Sequence, residues 1–68
     1  MTVSEFMAQE KIDKDFIERK MDMASDYWKA ADKFVRQRWD QEVSRLTEKQ
    51  SNWLGKIRED CIEKRIEG

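Results

Sequence analysis

Apolar residues recur down this chain at intervals of 4, 3 and 4. The beat starts at Ile17 and continues through Met21, Ala24, Trp28, Asp32, Val35, Trp39, Val43, Leu46, Gln50, Leu54, Ile57 and Cys61. All but Asp32 and Gln50 are apolar, in a chain that is only 38% hydrophobic. Eleven residues over three turns is about 3.67 per turn, so the stripe runs nearly straight along an α-helix. No alternating strand pattern competes with it.

The beat fails upstream of Ile17, where the same frame would put Glu10 and Asp13 on the apolar face. Residues 9–15 therefore read as a joint between an N-terminal arm, about residues 2–12, and a main helical region over about 14–66. Thr2-Val3-Ser4-Glu5 carries the capping-box spacing, and Val3, Phe6 and Met7 give the arm an apolar face. Asp13 or Asp15 is placed to cap the main helix.

From Phe16 to Val35 the apolar surface is wide, because Phe16, Met23, Tyr27, Ala30, Ala31 and Phe34 add a second row. From Trp39 to Cys61 it narrows to a seam. The arm is expected to fold over the wide face around Met23, Tyr27 and Phe34. Residues 47–52 contain a stop signal: Thr47 with Gln50 repeats the capping-box spacing, and Ser51 or Asn52 offers another cap. Gly55 follows, at a cost of about 1 kcal/mol relative to alanine in a helix interior. The stripe nevertheless stays in phase from Leu46 to Leu54, which favours a continuous helix over a break there. A helix from 16 to 64 would be on the order of 70 Å long and could not bury its own stripe. It must bury it on another chain, unless a break near 24 or 50 folds it into a three-helix bundle. Acids four residues before bases, Glu10 with Lys14, Asp32 with Arg36 and Asp60 with Lys64, support an exposed helical surface.

Composition pushes the same way. A 68-residue chain alone removes only about 60% of its unfolded surface from water, so small domains of this kind need a staple. Cys61 is the only cysteine and there is no histidine, which argues against an internal disulfide or a metal site. No cofactor-binding motif is present. Association remains, and the expected fold is all-α: one small helical domain over 1–68, a short arm plus a long amphipathic helix, pairing as a helical-bundle or coiled-coil-like homodimer. Fourteen basic residues against fifteen acidic give a net charge of −1, too little to steer the chain as a whole toward nucleic acid or a membrane. The longest apolar run, Phe6-Met7-Ala8, is too short for a signal-peptide core or a membrane span. With the lone thiol, this points to a cytoplasmic protein with no membrane partner.

Carboxylate pairs such as Asp22 with Asp26 and Glu59 with Glu63 sit at helical spacing on polar faces, with nothing to wall off a pocket, so no enzymatic activity is expected. The expected interface is Ile17, Met21, Trp28, Val35, Trp39, Val43, Leu46, Trp53, Leu54 and Ile57. Asp32 and Gln50 interrupt it nine residues either side of position 41, where polar residues would set register in an antiparallel pair. The segment from Lys29 to Trp39 is locally +3, and Lys29, Lys33, Arg36 and Arg38 are the candidate nucleic-acid contacts. The leading expectation is a small non-enzymatic interaction or regulatory protein that buries an aromatic helical face against itself or a partner protein. The alternatives are a nucleic-acid-associated protein using residues 29–38 and a purely structural oligomerisation helix.

Overall fold

The local signals at the N-terminus act as their chemistry dictates. In a computed structural model of the protein, which describes residues 1–67, Thr2 Oγ1 accepts from the Glu5 amide at 3.2 Å and Glu5 Oε1 accepts from the Thr2 amide at 2.8 Å. This box opens helix α1, Val3–Ala8. The helix stops in a Schellman turn: the Ile12 amide donates to the Met7 carbonyl, the Lys11 amide to that of Ala8, and Lys11 takes the left-handed φ of 58°. The turn carries Ile12 into the core, where it is 2% exposed. The expected joint lies here, ahead of α2, Phe16–Lys20. Asp13 Oδ1 accepts from the Asp15 amide at 2.9 Å, whereas Asp15, at the cap position itself, makes no side-chain cap.

The single long helix is not formed. The chain breaks at 21–25 and again at 38–47, giving α3, Asp26–Gln37, a 3₁₀ turn at Val43–Arg45, and α4, Glu48–Glu67. At the first break Asp22 Oδ1 accepts from the Ala24 amide at 3.0 Å, an Asx turn, and Ser25 takes the N-cap position of α3. At the second, the extended N-terminus pairs with the chain. The Val43 amide donates to the Met1 carbonyl, and the Val3 and Ser4 amides donate to the carbonyls of Gln41 and Trp39, each at 2.9 Å. An isolated β-bridge joins Thr2 to Glu42. The second capping box then works as a true start: the Gln50 amide donates to Thr47 Oγ1 at 3.1 Å and the Thr47 amide to Gln50 Oε1 at 3.0 Å. Residues 48–52 are therefore helix, and the turn precedes them.

The breaks allow one chain to cover its own stripe. Val3, Met7, Ile12, Phe16, Ile17, Ala31, Phe34, Val35, Leu46, Leu54, Ile57 and Cys61 gather in one core, within overall extents of 31 × 24 × 17 Å. The physical premise for a homodimer, a stripe that one chain cannot bury, is thereby removed. The arm also lies elsewhere than expected. It runs along the 39–43 segment and against α4, where Arg58 Nη1 donates to the Phe6 carbonyl and to Gln9 Oε1, each at 3.1 Å. Tyr27 and Phe34 pack on Trp53 of α4 instead. Of the expected helix-surface pairs only Asp32 with Arg36 forms. Glu10 meets Arg65, because α1 ends at Ala8 and no helix carries Lys14 beside Glu10, and within α4 Asp60 pairs with Lys56, one turn before it. Among the described residues no helix is long and apolar enough to cross a membrane.

Two positions carry the wrong residue for their backbone. A Cβ added at Gly55, inside α4, meets nothing within 4 Å, while Lys11 occupies the left-handed conformation that glycine adopts freely. Gly55→Ala and Lys11→Gly should each stabilise the protein by about 0.5–1 kcal/mol, read as a higher urea midpoint at unchanged slope. A lower midpoint for Gly55→Ala would contradict an unbroken helix at that point.

Candidate functional site

Residues on α3 and the first half of α4 that fall just off the stripe build an aromatic row. Phe34 and Trp53 pack with ring centroids 4.5 Å apart, and Tyr27 stands 6.4 Å from Trp53. The Trp53 indole Nε1 donates to the Tyr27 hydroxyl at 3.3 Å, and Tyr27 meets Trp28 edge-on at 5.0 Å. Phe34 is buried, Trp53 half-buried, and Tyr27 remains 39% exposed. Single exposed aromatics are ordinary; a row fixed by stacking and a hydrogen bond is a preformed surface.

Beside this row the two helices leave a groove of about 310 Å³, lined by Ala30, Lys33, Phe34, Gln37, Arg38, Gln50 and Trp53. The Arg38 guanidinium sits 4.7 Å over the Phe34 ring, within cation–π range. Two cations and no carboxylate line the groove. On the other side of Trp28 lies a second cleft, of about 290 Å³, with the opposite balance: Asp22, Asp60 and Glu63 against Lys64.

The expected interface residues divide. Ile17, Val35, Leu46, Leu54 and Ile57 are buried in the chain's own core, and Met21, Trp28, Trp39, Val43 and Trp53 pack partly buried against it. Asp32, 8% exposed, accepts from Arg36 Nε at 3.2 and 3.1 Å. Arg36 Nη2 reaches Asp15 at 2.9 Å and also pairs with Glu18. Hydrogen bonds donated to Asp15 and then to Asp32 push the Arg36 pKa up still further, so this charge is fixed. Gln50 spends its side-chain oxygen on the α4 cap. Both stripe interruptions thus have partners within the chain. The basic quartet splits as well: Lys33 and Arg38 line the groove, Arg36 turns into the α2 carboxylates, and Lys29 is exposed outside the lining.

Sequence reasoning left Tyr27, Ala30, Phe34 and Gln37 out of the interface. The signal was present, since positions 27, 30, 34 and 37 follow a 3-4-3 spacing on one side of α3, in a row parallel to the stripe. Cys61 is a core residue at 0% exposure; burial, and then the charge of Asp60, push its thiol up to about 12. It therefore stays protonated and weakly nucleophilic near neutrality. Among the described residues no three His, Cys, Asp or Glu side chains gather in a way that would hold a metal ion. No family model matches the chain, and no curated protein or solved structure is similar to it.

Two outcomes follow from these environments. Arg36→Met leaves Asp32 nearly buried without its partner and should cost about 1–3 kcal/mol in urea unfolding; the double variant with Asp32→Asn should recover part of that loss. Cys61 should resist iodoacetamide in the folded protein at pH 8 and react fully in urea. Because its folded pKa lies above the ordinary 9.0, the contribution of the protonated thiol is complete below pH 9 and is lost as pH rises toward 12. Rapid alkylation of the native protein would contradict this placement.

Proposed function

We propose that this protein is a small non-enzymatic interaction domain, of a regulatory, adaptor or inhibitory kind, that presents the Tyr27–Trp53–Phe34 face and its adjoining groove to another protein. The observation that carries the reading is the aromatic row itself. Folding has already covered the stripe, yet Tyr27 and Trp53 stay accessible and are held in place by their hydrogen bond and stacking. Tyrosine, tryptophan and arginine are the residues that most often carry binding energy at protein interfaces, and a rigid set loses little entropy on docking.

Self-association is the weaker form of this proposal. Its original support was an uncovered stripe, and the chain covers that stripe itself. A nucleic-acid role draws support from Lys33 and Arg38 beside two aromatic rings, the combination that single strands use. Against it, Arg36 is neutralised by three carboxylates and the net charge is −1.

A photo-crosslinking residue tests the choice. With p-benzoylphenylalanine at Ala30, in cells that express the protein natively, a discrete adduct with a second polypeptide is expected, and none from the same group at exposed Lys14. Equal labelling from both positions, or none from either, overturns the proposal. An adduct of twice the chain mass from position 30 assigns the face to self-association.

A further inference from the structure

Resting on the reading of this face as an interaction site, we infer that the groove takes an acidic peptide segment of a partner protein. One apolar side chain lies in the groove beside the packed Phe34 and Trp53 rings, and its flanking carboxylates lie on Lys33 and Arg38. Charge balance chooses this occupant. Arg19 is matched by Asp13, Lys56 by Asp60, Arg65 by Glu10, and Arg36 by three acids. Lys33 and Arg38 share with most of the other bases the lack of an ion pair among the described residues; what sets them apart is that both line one groove beside aromatic rings, with no carboxylate in its lining. The site is short of the negative charge that a ligand would bring.

The geometry adds specificity. Arg38 is already held over the Phe34 ring, so its planar fork of donors is oriented before a carboxylate arrives, and little freedom is lost on pairing. Ala30 contributes only a methyl group to the α3 wall, leaving room for an incoming side chain beside the rings. About 310 Å³ lies at the lower limit of small-molecule pockets, a size suited to one large side chain and its adjoining backbone.

A nucleic-acid strand fits less well. Two cations neutralise few phosphates.

Selection of random 12-residue displayed peptides on the folded protein, followed by ¹⁵N spectra of the three indole N–H signals, tests the inference. The expected result is a selected pool rich in Asp and Glu around one aromatic or leucine residue, with the Trp53 indole signal moving on binding. Lys33→Glu alone should weaken the best peptide at least tenfold, Lys33→Arg should retain it, and Glu63→Lys in the opposite cleft should leave it unchanged. Lys33 is exposed, so the reversal leaves the core intact, and a circular dichroism melt checks this. Peptides without acidic enrichment, or ones that leave the Trp53 indole unmoved, overturn the inference while the interaction-domain reading survives. The inference also falls if an oligo-dT strand moves that signal more strongly at the same salt, or if the signal shifts with protein concentration alone. If no peptide is selected and position 30 gives no crosslink, both readings fall together.

Discussion

Leu54, Ile57 and Cys61 stand on successive turns of α4, each at most 1% exposed, and the need to cover them organises the rest of the chain. A 20-residue helix is about 30 Å long and presents a stripe that no single short helix can cover. The six residues of α1 and the five of α2 are far below the length at which an isolated helix persists in water. They exist because Met7, Ile12, Phe16 and Ile17 gain burial in the shared core and because the ends of α1 are capped. Stability is therefore cooperative in a strict sense: remove the α4 stripe and the short helices lose their reason to form.

Two arginines fix how the short segments lie on that stripe. Arg58 joins α4 to the arm, fifty residues away, through the Phe6 carbonyl and the Gln9 side chain, with its guanidinium 3.8 Å from the Phe6 ring. Its Nε is buried without a hydrogen-bond partner, so part of the charge is supported by the ring face alone. Arg36 joins α3 to α2 through Asp15 and Glu18 while neutralising Asp32. A nearly buried carboxylate is costly when unpaired. Asp32 on the apolar stripe thus demands Arg36, and Arg36 in turn draws the α2 acids to it.

What the sequence makes legible follows from the range of the interaction concerned. The Thr2–Glu5 and Thr47–Gln50 boxes and the joint at 9–15 depend on residues within a few positions of one another, and each is found where its chemistry puts it. The break at 38–47 contains neither glycine nor proline. It is held by amides and carbonyls of residues 1–4, and no local pattern announces a partner forty residues distant. The 11-residue beat misled for a related reason. Val43 and Leu46 point inward from a 3₁₀ turn and the residue after it, and burial there coincides with helical phase although no helix joins them to Trp39. For the candidate site, the aromatic residues were legible as an apolar row, but their function as a groove wall was not, because the opposite wall arrives only when α4 folds back.

That return of α4 also decides which residues are left over. Most positions on the stripe are taken into the core or packed partly buried against it, and the stripe's polar interruptions find partners within the chain. Tyr27, Ala30 and Trp53 sit one row to the side, where the two aromatic rings pack on each other, and Trp53 on buried Phe34, across two helices but are not covered by a third. An apolar surface that folding needed would have been closed by the arm, which runs instead along 39–43 and α4. The aromatic row therefore contributes less to stability than its size allows, since accessible area is area not removed from water. Lys33 and Arg38 at its edge oppose a purely apolar cover, which is the basis of the acidic occupant proposed for it. The arm's path and the charge at the groove are separate observations, and the proposed docking role of this face rests on both.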